Sequence, residues 1–201
     1  MRIEKVLLPL LLCAAPAMAD NNSTTITQSG NVSSLTINQE AAVNSSITVE
    51  QIGVVNIARV TQQNLNNNFD LKMAGRGNQL YGVQSGNAAN DADVELNGTR
   101  GLVYLYQSGA GGTNKVLLRQ GGSDNSAFFD QQVVGAGLNS ISLNQNGNGN
   151  MADLSQYGSG NDIALTQNGD LNNATVMQTG IALAFALTQT GGSTVTVNQS
   201  N

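Results

Sequence analysis

Residues 150–167, NMADLSQYGSGNDIALTQ, are one phrase written twice. Asparagine, two alternate apolar residues and glutamine fall at Asn150, Ala152, Leu154 and Gln156, then at Asn161, Ile163, Leu165 and Gln167. With glutamine as anchor, the phrase returns at Gln28, Gln39, Gln51, Gln62, Met73, Gln84, Leu96, Gln107, Gln120, Gln131, Gln145, Gln156, Gln167, Gln178, Gln189 and Gln199. Of these 16 anchors, 14 are Gln, and ten of the 15 gaps are 11 residues. A fixed period governs every local reading of such a chain.

The places four and two before each anchor are apolar at 30 of 32 sites, Thr24 and Gly82 being the exceptions. Alternation with period two, rich in Val, Ile, Leu and Thr, predicts a strand in every unit and excludes helix. Six before the anchor stands Asn in 11 units (Asn22, Asn56, Asn67, Asn78, Asn90, Asn114, Asn125, Asn139, Asn150, Asn161 and Asn172) and Ser in Ser33, Ser45 and Ser193. Parity therefore puts Asn, the apolar pair and Gln on one face. Glu50, Arg59, Asp70, Lys72, Asp93, Glu95, Lys115, Arg119, Asp130, Asp153 and Asp162 fall on the other, so the scheme buries no charge.

Two places after the anchor comes glycine: Gly30, Gly53, Gly86, Gly109, Gly147, Gly158, Gly169, Gly180 and Gly191, and also Gly75, Gly98 and Gly122. A chain reversal between strands needs positive φ, which Gly supplies. The irregular gaps fall in turns, in SGAGGTN (108–114) and QVVGAGLN (132–139).

One unit cannot bury its apolar face alone. Two make a strand-turn-strand of roughly 22 residues, and about eight such pairs stacked along an axis predict an all-β, cross-β solenoid in which each repeat covers its neighbours. Stacking at about 4.8 Å aligns like residues, so that inward Asn and Gln amides can bond up and down a ladder. With units compared one by one, Leu154 and Val176 are the expected stacked neighbours of Leu165. The stretch 64–101 is degenerate: Met73 and Leu96 replace Gln, Gly101 replaces Asn, and Gly82→Val is expected to restore an apolar pair and stabilise the stack.

Composition sets the remaining bounds. MRIEK, the apolar run VLLPLLLCAA and Ala17-Met18-Ala19 read as a signal peptide over 1–19, leaving a repeat domain at 20–201. The apolar core, Val6 to Ala15, is too short for the roughly 20 residues of a membrane span, and none is expected in the mature chain. Removal of Arg2, Lys5 and Glu4 leaves six basic and 12 acidic residues, and removal of Cys13 leaves no cysteine. Nucleic-acid binding, which needs phosphate neutralisation, is not expected. With no His either, Ser-His and Cys-His catalysis is excluded; no enzyme, cofactor or metal is expected. Asp91, Asp93 and Glu95 form the tightest acidic cluster, a solvated charge row with weak divalent-cation binding as the alternative. Gly-Asn-Gly at 147–149 lacks the Lys and helix of a phosphate loop.

The motif Asn-x5-Gln-x-Gly-x2-Asn-x5-Gln, complete in 150–167 and again in 161–178, resembles the curlin repeat of bacterial curli amyloid fibres. The resemblance spans 22–201. It implies a secreted subunit of a Gram-negative bacterium that polymerises outside the cell into a fimbrium-like functional amyloid for biofilm matrix, adhesion and cell aggregation. It further implies as partners other copies of itself, a nucleating minor curlin and the outer-membrane curli secretion machinery. In that family the inward amides of the end repeats matter for seeding and growth; the matching positions are Asn22, Gln28, Ser193 and Gln199. The regularity of 139–191 resembles a major more than a minor subunit. The family's glutamine-poor export leader is nearly absent, the first unit starting a few residues after Asp20. The alternative is a monomeric secreted β-solenoid adhesin or surface-binding protein, which ordinarily needs caps on its end strands.

Overall fold

The computed structural model describes residues 11–12 and 21–201. Except for Leu11–Leu12, the expected signal peptide lies outside the described residues. In chain order the strands are β1 (Leu11–Leu12), β2 (Ser23–Asn31), β3 (Ser34–Val43), β4 (Ser46–Val54), β5 (Ile57–Leu65) and β6 (Asn67–Arg76). Next come β7 (Gln79–Gln84), β8 (Ala89–Thr99), β9 (Leu102–Ala110), β10 (Thr113–Ser123), β11 (Ser126–Val134) and β12 (Leu138–Asn148). The last are β13 (Met151–Ser159), β14 (Asp162–Asn168), β15 (Asn173–Ile181), β16 (Ala184–Thr190) and β17 (Thr194–Ser200). No helix occurs among the described residues, and hence none long and apolar enough to cross a membrane.

Odd-numbered strands build a nine-stranded sheet and even-numbered strands an eight-stranded one. All pairing is parallel, each strand bonding to those two before and two after it. The chain thus changes sheet at every turn, and one coil of this β-solenoid is a strand from each sheet. Like residues stack in register: Gln145 pairs with Gln120 and Gln167, and Leu143 with Leu118 and Leu165. The stacked neighbours of Leu165 are accordingly Leu143 and Leu187. Leu154 and Val176, expected in that role, lie on β13 and β15 of the other sheet, because consecutive units face each other instead of stacking.

The apolar pairs of both sheets meet in one core running from Leu35 to Val176, with Ile26, Phe185, Leu187 and Val197 partly buried against its ends. No charged side chain is buried among the described residues. The middle of the chain is as well filled as the rest: Phe69, Leu71, Met73, Leu80 and Leu96 are all sealed from solvent.

Gly82 does not leave the gap expected of it. A Cβ there would come within 2.6 Å of the Phe69 ring, which reaches across from β6 and fills the space. Phe69 is the largest side chain buried at its level, so Gly82 is its complement, and valine has no room.

Between strands, the glycine after each anchor also sits where backbones approach most closely. A Cβ on Gly147 would strike the carbonyl oxygen of Gly169 one coil on, and φ at Gly147 is +125°. Four residues after the anchor lies a second left-handed position, at Val32, Val55, Arg100, Asp124, Leu171 and Ala182, with φ between 56° and 61°. For β-branched Val32 and Val55 this conformation is strained. Gly77, Gly149 and Gly160 occupy the same offset in other units, a recurrence that marks the position in the sequence.

Candidate functional site

An inward glutamine amide needs partners for two N–H groups and an oxygen, and burial without them costs about 1–3 kcal/mol per group. The odd sheet meets the requirement by stacking. Nε2 of Gln39 donates to Oε1 of Gln62 (3.0 Å), Gln62 to Gln84 (2.9 Å), Gln84 to Gln107 (2.9 Å) and Gln107 to Gln131 (2.9 Å). Gln131 donates to Gln156 (2.8 Å), Gln156 to Gln178 (2.9 Å) and Gln178 to Gln199 (2.8 Å). The second N–H of each buried member reaches a backbone carbonyl of the even sheet, as from Gln107 to Asp91 (3.1 Å) and from Gln156 to Ser140 (2.9 Å). These glutamines therefore tie coil to coil and sheet to sheet at once.

In the even sheet, Gln28 donates to Gln51 (2.9 Å), and Gln51 has only the sulfur of Met73, at 3.8 Å. The ladder resumes from Gln120 to Gln145 (2.7 Å), Gln167 (2.9 Å) and Gln189 (2.9 Å). Leu96 lies directly before Gln120 in the stack and has no proton to give. Oε1 of Gln120 is consequently buried without a partner. It points toward Gly101, where any Cβ would come within 2.5 Å of it. The two departures at Leu96 and Gly101 thus belong to one local arrangement.

The asparagines mainly staple turns. Nδ2 of Asn56 donates to the carbonyls of Ile52 (3.1 Å) and Gly75 (3.2 Å), and its Oδ1 accepts from the backbone N–H of Asn78 (3.0 Å). Asn125 and Asn150 repeat the pattern: Asn125 donates to Gly121 (2.6 Å) and Gly147 (2.8 Å), and accepts from the N–H of Asn150 (2.8 Å). Asn161 and Asn139 do the same in the even sheet, where the Asn161 N–H donates to Oδ1 of Asn139 (3.1 Å). Amide-to-amide bonds join Asn114 to Asn90 (2.9 Å), Asn90 to Asn67 (2.8 Å) and Asn172 to Asn150 (3.0 Å). Asn22 serves the first coil, donating to the Ala42 carbonyl (2.6 Å) and accepting from the N–H of Ser45 (3.0 Å).

On the outer face of the even sheet the acidic row of β8 is matched by cations on β10. Arg119 reaches Asp93 (2.8 Å) and Glu95 (3.1 Å), and Lys115 lies 4.0 Å from Asp91. These pairs neutralise most of the row, and no cluster of three or more potential metal-ligating side chains occurs among the described residues. Burial, with Asp93 next in importance, raises the pKa of Asp70; burial and Asp153 raise that of Asp130.

The stack has two unlike ends. At the first coil nothing among the described residues donates to Oε1 of Gln28, and at the last nothing accepts in ladder fashion from Gln189 or Gln199. Among the described residues the outer edges of β2, β16 and β17 are unpaired, whereas β1 lies along β3.

This architecture defines a class, the two-sheet parallel β-solenoid with amide-lined corners. Within that class, residues 139–167 and 159–191 match the model of the curlin associated repeat. No curated protein and no solved structure matches the chain.

Proposed function

We propose that the chain, freed of residues 1–19, is a secreted subunit that stacks end to end on copies of itself to form extracellular curli-like amyloid fibres for matrix and adhesion. The observation that carries this reading is the polarity of the ladders. Each ladder glutamine with a glutamine stacked after it donates to that residue, so the ladders run from acceptors at Gln28 and Gln39 to donors at Gln189 and Gln199, which in the single chain turn to backbone carbonyls. Continuation of the same register seats β2 on β16 and β3 on β17, with Gln189 donating to Gln28 and Gln199 to Gln39. Edge strands with a half-buried apolar row, including Phe185, Leu187, Val195 and Val197, favour such pairing. Loss of the leader would also free the edge of β3 now paired with Leu11–Leu12.

Repeat match and fold both point to a structural, non-catalytic role. A nucleating minor curlin and an outer-membrane secretion channel are the partners this reading calls for, and a major-subunit role suits the regular repeats at 139–191.

The test is a thioflavin time course on purified mature chain, followed by fibre diffraction. Fibres with a meridional spacing of about 4.8 Å are expected. A chain that stays monomeric over days at tens of micromolar would favour the solitary adhesin instead.

A further inference from the structure

The outer face of the odd sheet is not uniformly polar. One row along the stack reads Arg59, Tyr81, Tyr104, Phe128, Asp153, each residue the register partner of the next. The rings are stacked, Tyr81 on Tyr104 at 5.0 Å and Tyr104 on Phe128 at 5.5 Å between centroids, with interplanar angles of 13° and 5°. Tyr104 remains 44% exposed and Tyr106, on the same strand, 45%. Leu102 and Val83, half-buried on this face, widen the apolar area.

The ends of the row carry opposite charge. Arg59 stands at one and Asp153 at the other, Asp130 sits on β11 as the register partner of Tyr106, and among the described residues no ion pair involves any of the three. On the even sheet, by contrast, Lys115 and Arg119 are engaged with carboxylates of their own chain.

We propose that this face pairs with the same face of a second copy of the chain, running antiparallel, about a two-fold axis along β9 beneath Tyr104. Arg59 lies two strands before Tyr104 and Asp153 two strands after it. A half-turn about β9 lays β5 over β13 and β7 over β11 of the second copy. Arg59 then faces Asp153 of the second copy, Tyr81 faces Phe128, Val83 faces Asp130, and Tyr104 faces its own equivalent. Every contact off the axis is made twice, as an isologous interface requires. Sheets packed face to face stand about 10 Å apart, which suits interleaved aromatic side chains. The opposite choice, stacks running the same way, would set Arg59 level with Arg59 and Asp153 level with Asp153, like charges on both counts.

The surface lies on the side of the solenoid, away from the ends where coils would add. It serves two single chains or two filaments side by side, and its existence does not rest on end-to-end growth.

Cross-linking tests it in the full mature chain, which has no cysteine of its own. A Leu102→Cys variant places a thiol on the axis. A bis-maleimide spanning roughly one sheet-to-sheet gap, about 10 Å, is expected to give a covalent dimer. Copies stacked end to end would hold these thiols roughly 38 Å apart, eight strands at about 4.8 Å, beyond the linker's reach. Ser142→Cys, on the outer face of the even sheet, should stay uncross-linked. Chains carrying Gln79→Cys mixed with chains carrying Ser126→Cys should cross-link to each other, because β7 lies over β11, while neither does so alone. Arg59→Asp should lower the dimer yield from Leu102→Cys at least tenfold, and adding Asp153→Arg should restore it.

The reaction is read on fibres and on soluble chain alike, and thioflavin growth is followed separately, so that failure of pairing and failure of fibre growth are distinguishable. Absence of dimer from Leu102→Cys, or a yield indifferent to Arg59→Asp, overturns the proposal. So does retention of an insoluble polysaccharide through Tyr104 with no cross-link, which would give the aromatic face to sugar instead.

Discussion

The two sheets share one repeat and keep its amides differently. In the odd sheet, eight glutamines from Gln39 to Gln199 bond in an unbroken series. In the even sheet, Met73 and Leu96 divide the series into Gln28–Gln51 and Gln120–Gln189. Loss of one glutamine from a ladder strands two groups, the donor before it and the acceptor after it. Loss of the adjacent one as well strands no more. Two interruptions side by side therefore cost about as much as one, and the even sheet has its two on consecutive strands. The sulfur of Met73 softens one end, and Oε1 of Gln120 is left as the other.

The apolar rows are common to both sheets and should outweigh either ladder. Leu165→Asp would bury a carboxylate between Leu143 and Leu187 and is expected to cost at least about 3 kcal/mol and to stop seeded fibre elongation. Thr166→Asp on the outward side should stay within about 0.5 kcal/mol. Equal impairment of the two variants in elongation assays would undo the inward-outward assignment on which the comparison rests.

Next in size is a cut in the intact ladder. Gln107→Leu removes the partners of Gln84 and Gln131 and the tie to Asp91, a loss of about 2–3 kcal/mol. Met73→Leu, in the sheet already cut, should cost under about 1.5 kcal/mol. Denaturant midpoints for the two variants measure the contrast directly, and similar shifts would mean that ladder continuity contributes little.

Gly82→Val probes where the sheets meet. Its side chain collides with Phe69, so a destabilisation of about 1–3 kcal/mol is expected, relieved when Phe69→Leu is added. A stabilised single variant would show that the space is emptier than the geometry says.

The repair of the broken sheet is a smaller effect. Met73→Gln with Leu96→Gln supplies the missing links from Gln51 to Gln120, for a gain of about 1 kcal/mol, whereas either change alone should gain less.

Smallest is the response to mild acid. The pKa values of Asp70 on the even sheet and Asp130 on the odd one are raised above the ordinary 3.8, so the folded chain holds these protons more tightly than the unfolded one. Their penalty is present at neutral pH, shrinks as pH falls through the folded values, and is gone below 3.8. Asp124, lowered by its hydrogen bond from Arg100, acts in the opposite sense, but only below 3.8. Stability should rise modestly as pH falls from neutral toward the ordinary 3.8, and Asp130→Asn should flatten the rise in thermal melts.

Strand positions and the division into faces were legible in the sequence because a period of two and a period of 11 overlie each other through 22–201. Which residue stacks on which was less accessible. Near-identical neighbouring units hide the alternation between sheets, so Leu154 could pass for a neighbour of Leu165 until the strand order separated them. Gly82 was opaque for a different reason, since its complement Phe69 lies on the facing strand and no single unit contains both. The even spread of Asn also concealed that its amides mostly hold turns while those of Gln hold coils.

The alternation of sheets bears on how such a gene can change length. Duplication or deletion of a whole coil, 21 to 25 residues, leaves every downstream strand in its own sheet. Loss of a single unit would transfer all later strands to the opposite sheet. If the lost unit were β8, between Tyr81 and Tyr104, the aromatic row would be divided between the two sides of the solenoid and the cations of β10 would lose their carboxylate partners. Repeats of this kind are thus free to drift in number by twos, while odd steps scramble both outer surfaces in one event.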